Sequence, residues 1–189
     1  MRVGAWKRLA FHAGYASPLR MERDVIIAGG GLVGNALAIA LAQSNLRVTV
    51  VDPLPRAQQT EAQFDGRTSA ISSGSVRILE KIGAWQRIAQ DAQPIHDIRV
   101  CDQDKPGYVH YSEKAVGEPF GYIVENQALR RGLYLALEAC DGIEVVTDAV
   151  QDFETQNASV VARLQSSGTR EASLLVAADG RFSKLRDRA

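Results

Sequence analysis

Four glycines, two aspartates and two arginines are the residues of this chain whose types and spacing point to chemistry. Gly29, Gly31 and Gly34 form GxGxxG, and Asp52 follows 23 residues after the first of them. A carboxylate roughly 20 residues beyond such a turn is placed to accept hydrogen bonds from an adenosine ribose. The first glycine permits a tight turn, the second lets backbone approach a pyrophosphate, and the third lets a helix lie close on a strand. A free 2′-hydroxyl suits Asp52 better than a 2′-phosphate, which would meet it as a like charge. The expected ligand is therefore NAD-like or FAD-like. Further along, Asp179-Gly180 closes the apolar run LLVAA, placing a carboxylate and bare backbone where ligands collect at the end of a parallel strand. Arg67, in FDGRTSAIS, and Arg130, in NQALRRGL, are each candidates to reach a phosphate with a planar fork, against the alternative of a surface arginine.

The elements needed to position these groups are legible around them. Val25, Ile26 and Ile27 read as a strand buried on both faces, about Val33 to Ser44 as a helix with its positive end at the glycine turn, and Arg47 to Val51 as the next strand. The apolar stretch Val25–Ala42 approaches the length of a membrane span, but three consecutive glycines and Asn35 favour strand, turn and helix. Pro53 to Gln63 reads as a loop. Ser72 or Ser73 caps a helix carrying Val76, Leu79 and Ile82 and ending at Gly83, with a short helix over Trp85–Gln90. IRVCD and YVHYS are strand-like runs joined by the turn QDKPG, an antiparallel excursion. A helix from about Asn126 to Ala139 places Leu129, Leu133 and Leu137 on one face. Strands follow at Ile143–Thr147, Gln151–Glu154, Ser159–Leu164 and the buried run Leu174–Gly180, with a turn over Gln165–Arg170.

Composition narrows the partners. The 189 residues carry 22 basic and 22 acidic side chains, so no net field recommends nucleic acid. Cys101 and Cys140 lack CxxC spacing and read as a buried thiol pair in a reducing cytosol. His12, His96 and His110 fit no zinc-ligand pattern, and GxSxG is lacking, so neither a metal nor a nucleophilic catalytic residue is expected. Residues 1–20 contain Arg2, Lys7, Arg8 and Arg20 without an acid. That is the profile of a mitochondrial presequence, although a disordered upstream extension before Met21 is favoured. Arg181, Lys184 and Arg186 are expected to face solvent.

GGGLVG with Asp52, FDGRTSAIS followed by SVRILEKIGAW, ENQALRRGLYLAL, and LLVAADGRFSKLR occur in this order. Together they resemble the N-terminal half of the class A flavin-dependent aromatic hydroxylases, and within these the ubiquinone-biosynthesis branch, from about Arg23 to the end. The resemblance implies an α/β, FAD/NAD(P)-binding Rossmann-like three-layer domain over residues 21–189, C-terminally incomplete. It implies that the glycine turn and Asp52 hold the ADP half of FAD, that Arg67 and Arg130 approach the cofactor, and that Asp179 and Gly180 serve FAD and NAD(P)H-linked function. It further implies NAD(P)H and O₂ as co-substrates and a prenylated small-molecule aromatic substrate. Peripheral contact with the inner membrane and a ubiquinone-biosynthesis complex are expected, with a cytoplasmic location, or the mitochondrial matrix if residues 1–20 are a presequence. The competing readings are an NAD-dependent dehydrogenase and a non-enzymatic nucleotide-binding fragment.

Overall fold

The structure, a computed structural model, describes residues 23–61, 66–102 and 106–188. The extension 1–20, the end of the Pro53–Gln63 loop, Phe64 and Asp65 of FDGRTSAIS and part of QDKPG lie outside the described residues. The first half of the chain gives β1 (Arg23–Ala28), α1 (Leu32–Ala42), β2 (Val48–Asp52), α2 (Arg56–Thr60), β3 (Thr68–Ser72), α3 (Ser73–Lys81), β4 (Ala92–Pro94) and β5 (Asp97–Cys101). The second gives β6 (Tyr108–Ser112), α4 (Glu113–Val116), β7 (Gly121–Glu125), α5 (Asn126–Glu138), β8 (Ile143–Thr147), β9 (Val150–Thr155), β10 (Val160–Leu164) and β11 (Thr169–Ala177).

The main sheet has the order β8-β2-β1-β11-β10-β9, its first four strands parallel and its last two antiparallel. β1 lies at its centre because Val25, Ile26, Ile27 and Ala28 can be buried on both faces, and each is 4% exposed or less. Burying such a side chain contributes about 1.5–3 kcal/mol. Val25 and Ile27 pack toward α1 and α5, whose buried Ala38, Ile39, Leu129, Leu133 and Leu137 supply one large core. Ile26 and Val51 face the other way, against Ala162, Leu164 and Ala172. α1 and α5 lie against each other on the first face.

The second core forms because the sheet curls. β8 and β9 stand at opposite ends of the strand order, yet only Asp148 and Ala149 connect them. The edges of a flat six-stranded sheet would be about 24 Å apart, whereas the three links from Thr147 to Val150 span at most about 11 Å. The antiparallel arm must therefore fold back over the face opposite the helices. Asp148 holds that closure. Its carboxylate accepts the N–H groups of Ala149, Ser166 and Ser167 and the Ser167 hydroxyl, and its own N–H donates to the Asp52 carbonyl. The Ser167 hydroxyl first, then these backbone N–H groups, pushes its carboxyl down to about 2.

Several expectations change. Residues within Pro53–Gln63 form α2 rather than loop alone, and Thr68–Ser72 is a strand, paired with β7, which pairs in turn with β4. These three short strands lack strong alternation because Thr, Ser and Ala fill the outward positions of β3. Trp85–Gln90 forms two 3₁₀ turns instead of one helix. Ser72 is the cap of α3, its hydroxyl accepting the Ser75 N–H. β11 is not buried throughout: Leu174 is 52% exposed, because β11 stands where the sheet passes from the helix-covered strands into the arm. The expected buried thiol pair is also corrected. Cys101 is exposed on the β5–β6 hairpin, and Cys140 is half-buried. Among the described residues no helix is long and apolar enough to cross a membrane.

Candidate cofactor site

The glycine turn occupies the space between β1 and α1. Gly29 has φ +106°, and a Cβ there would collide with the Ala178 carbonyl; a Cβ on Gly34 would collide with the carbonyl of Gly29. Both positions are therefore closed to other residues by backbone, for the turn at Gly29 and for close helix packing at Gly34. Gly31 differs. It has ordinary extended backbone as the N-cap of α1, and a Cβ there would meet nothing within 4 Å. Its open side is the room a pyrophosphate needs at the helix N-terminus.

Asp52 ends β2 beside this turn. Its Oδ2 accepts the Gly30 N–H at 2.6 Å and its Oδ1 the Leu54 N–H at 2.8 Å. Each carboxylate oxygen has two acceptor positions, so both retain capacity for a hydroxyl donor. A cleft of about 610 Å³ opens alongside, lined by Gly29, Asp52, Pro53, Leu54, Val150 and Asp179 among others. The Ala178–Asp179 backbone lies directly against Gly29, and the Ala178 N–H donates to the Ala28 carbonyl at 2.7 Å. Asp179 is exposed, and Gly180 has φ +91°. Gly29, Gly31, Gly34, Asp52, Asp179 and Gly180 thus converge at the carboxyl edge of the parallel strands.

Arg67 and Arg130 are not among the residues that line this cleft, but their segments are tied to each other. The Arg67 carbonyl accepts the Asn126 N–H at 3.0 Å, and Ser69 Oγ donates to Asn126 Oδ1 at 2.6 Å, which ties the start of β3 to the start of α5. α5 runs back along the sheet into β8, so its N-terminus stands at the same carboxyl edge as that of α1. Arg130, one turn into α5, is half-buried and makes no ion pair among the described residues. Arg67 is exposed.

Sequence reasoning missed part of the cleft. Ala149, Val150, Gln151 and Gln165 reach it only because the sheet curls, and Lys184 and Arg188 line it from the terminal segment. Arg188 pairs with Asp152, whose carboxyl it holds below the ordinary carboxylate value. Lys184 is exposed as expected, yet borders the cleft; Arg181 lies over the Phe182 ring at 4.5 Å and Arg186 pairs with Asp187 at 3.5 Å. No signal in the sequence places β9 beside β2. Among the described residues no cluster of His, Cys, Asp or Glu could hold a metal.

The fold and this edge define a mixed α/β domain with a central sheet, flanking helices and a nucleotide-sized cleft at the strand ends. The chain belongs to the FAD binding domain family, which matches residues 22–189. It is 38% identical over 167 residues to the ubiquinone hydroxylase UbiL of Rhodospirillum rubrum, covering 88% of this chain and 39% of that protein. It is 29% identical over 175 residues to the ubiquinone hydroxylase UbiM of Neisseria meningitidis, covering 89% and 38%. The chain therefore spans about two fifths of the length of these curated relatives. The solved structure of the Diels-Alderase PyrE3 from pyrroindomycin biosynthesis matches with a TM-score of 0.72 at 20% identity, over 88% of this chain and 34% of that one, a likeness of fold alone.

FAD is the cofactor of this family, and the residues present fit its ADP half: open space over Gly31, free acceptor capacity on Asp52, and a cleft lined by Gly29 and Asp52.

Proposed function

We propose that this chain carries the FAD-binding part of an aromatic-ring hydroxylase of ubiquinone biosynthesis, which uses NAD(P)H and O₂ on a prenylated phenol. The observation that carries the reading is the convergence of Gly29 in the glycine turn, Asp52 and Asp179 around one cleft. β1, α1 and β2 form its Rossmann-like unit, within a domain spanning residues 21–189. Asp52 accepts the ribose hydroxyls, and Gly31 with the N-terminus of α1 receives the pyrophosphate. Arg67 and Arg130 stand at the same edge and approach the cofactor, while Asp179 and Gly180 border it from β11. FAD, when bound, supplies the redox and oxygen chemistry. The chain's own contribution is to bind and orient that group and to keep water from it. No side chain here needs to act as a covalent nucleophile.

A prenyl tail on the substrate would bring the protein to a membrane surface without a spanning helix. The names of the relatives support the pathway, and a complex with other ubiquinone-biosynthesis enzymes follows from that assignment.

The decisive measurement is the absorbance of the purified protein. Bound flavin gives a band near ~450 nm. Arg67→Ala and Arg130→Ala should each weaken FAD binding roughly tenfold, the loss of about one charge-assisted hydrogen bond. Colourless protein that binds NAD and not FAD would overturn the reading in favour of a nicotinamide enzyme.

A further inference from the structure

The two backbone N–H groups that hold the Asp52 carboxylate are themselves backed by buried carboxamides. Gln59, 3% exposed on α2, donates Nε2 to the Leu54 carbonyl at 3.1 Å, and Leu54 in turn donates its N–H to Asp52 Oδ1. Asn35, 2% exposed on α1, packs beneath Gly30, the donor to Asp52 Oδ2. A Cβ at Gly30 would stand 3.4 Å from Asn35 Oδ1 and 3.1 Å from Asp52 Cβ, so the three residues share one tightly filled space.

Both carboxamides are expensive choices. Among the described residues, Asn35 Nδ2 and Gln59 Oε1 are buried without a hydrogen-bond partner. A buried polar atom left unpaired opposes folding, and apolar side chains of similar size would avoid that cost. Asn35 lies against Gly30 and Gln59 bonds Leu54, so each carboxamide stands one residue behind an N–H that holds Asp52.

We propose that Asn35 and Gln59 are positioning residues that fix the orientation of the Asp52 carboxylate, and so set the site's preference for a free ribose 2′-hydroxyl over a 2′-phosphate. This rests on the reading of Asp52 as the ribose acceptor. A carboxylate held from two sides cannot swing away from an approaching phosphate, so like-charge repulsion is felt in full. A loosely held carboxylate can turn aside and relieve it. The mount therefore governs discrimination as well as affinity.

The test uses the full 189-residue chain and titrates adenosine 5′-diphosphate and its 2′-phosphorylated analogue, adenosine 2′-phosphate 5′-diphosphate, by calorimetry, with thermal melting read alongside. Wild type should prefer the 5′-diphosphate. Asn35→Leu should melt at or above the wild-type temperature and Gln59→Met, which also gives up its bond to the Leu54 carbonyl, close to it, while that preference falls roughly tenfold in each. Asn35→Ala serves the same purpose if leucine does not fit. An unchanged preference in folded variants, or equal weakening of both ligands, overturns the proposal. Asp52→Ala separates the two levels. If it leaves binding of the 5′-diphosphate unchanged, the ribose assignment itself fails; if it weakens that binding while the carboxamide variants behave as wild type, only the positioning role fails.

Discussion

The glycine-turn region and the β5–β6 hairpin are built from similar short runs of branched apolar residues, yet they end in opposite environments. Val25, Ile26, Ile27, Val48, Val50 and Val51 are each 4% exposed or less. In the hairpin, Ile98 is 37% exposed, Val100 and Val109 are each 54% exposed, and Tyr111 is 52% exposed. The register pairs Ile98 with Tyr111 and Val100 with Val109, so these four share one face. The opposite face carries polar pairs: His110 Nε2 lies 2.8 Å from Asp97 Oδ1, and Arg99 lies over the Tyr108 ring. The hairpin obeys the alternation of a half-buried sheet and the turn region that of a doubly buried one. Local pattern alone thus does not decide burial; the number of layers packed on an element does.

That contrast can be broken most forcefully at Gly34. Gly34→Ala drives a methyl into the Gly29 carbonyl and should destabilise the protein by at least about 3 kcal/mol in urea unfolding. Unchanged stability would mean the turn and helix are less closely packed than described. A matched pair sharpens the comparison further. Val50→Ala, in the core, should cost about 2 kcal/mol by the same assay. The identical change at Val100 should stay within about 0.5 kcal/mol, and equal losses at the two sites would show that the hairpin face is covered.

Acid should act on the curl before it acts on the hairpin surface. The Asp148 carboxyl is pushed from 3.8 down to about 2. Because its folded value is depressed, its contribution is complete above the unfolded value and is lost as pH falls from about 4 toward 2. Asp148→Asn should flatten the dependence of stability on pH in that window, measured by denaturant unfolding at successive pH values. An identical slope in the variant would remove Asp148 from the closure. Asp97 is also lowered, first by its hydrogen bond to His110, but its pair is exposed on the hairpin and His110→Ala should leave global stability nearly unchanged in the same series.

The glycine turn and the acid beside it were readable because their geometry is local. GxGxxG constrains backbone over six residues, and an acid at the end of the next strand returns beside the turn through one short crossover. Leu129, Leu133 and Leu137 announced α5 by spacing alone, and all three are 2% exposed. Less visible were β3, β4 and β7. Each is five residues or fewer, and their pairing joins residues far apart in the chain, as in Thr68 with Glu125 and Ala92 with Val124. Asp148 gave no signal either, because an aspartate after a strand has the composition of any turn. Its role exists only when Ser166 and Ser167 arrive from the β10–β11 turn.

By itself the sequence determined the strand, turn, helix and acid of the candidate nucleotide site, since steric limits on glycine and the period of buried side chains act over a few residues. Tertiary structure decided which other surfaces meet at that site. The two-residue link at Asp148 curls the sheet and brings Val150 and Gln165 to the cleft, while the tie between Arg67 and Asn126 joins the start of β3 to the start of α5. Those contacts depend on chain closure over long separations, which no local pattern encodes.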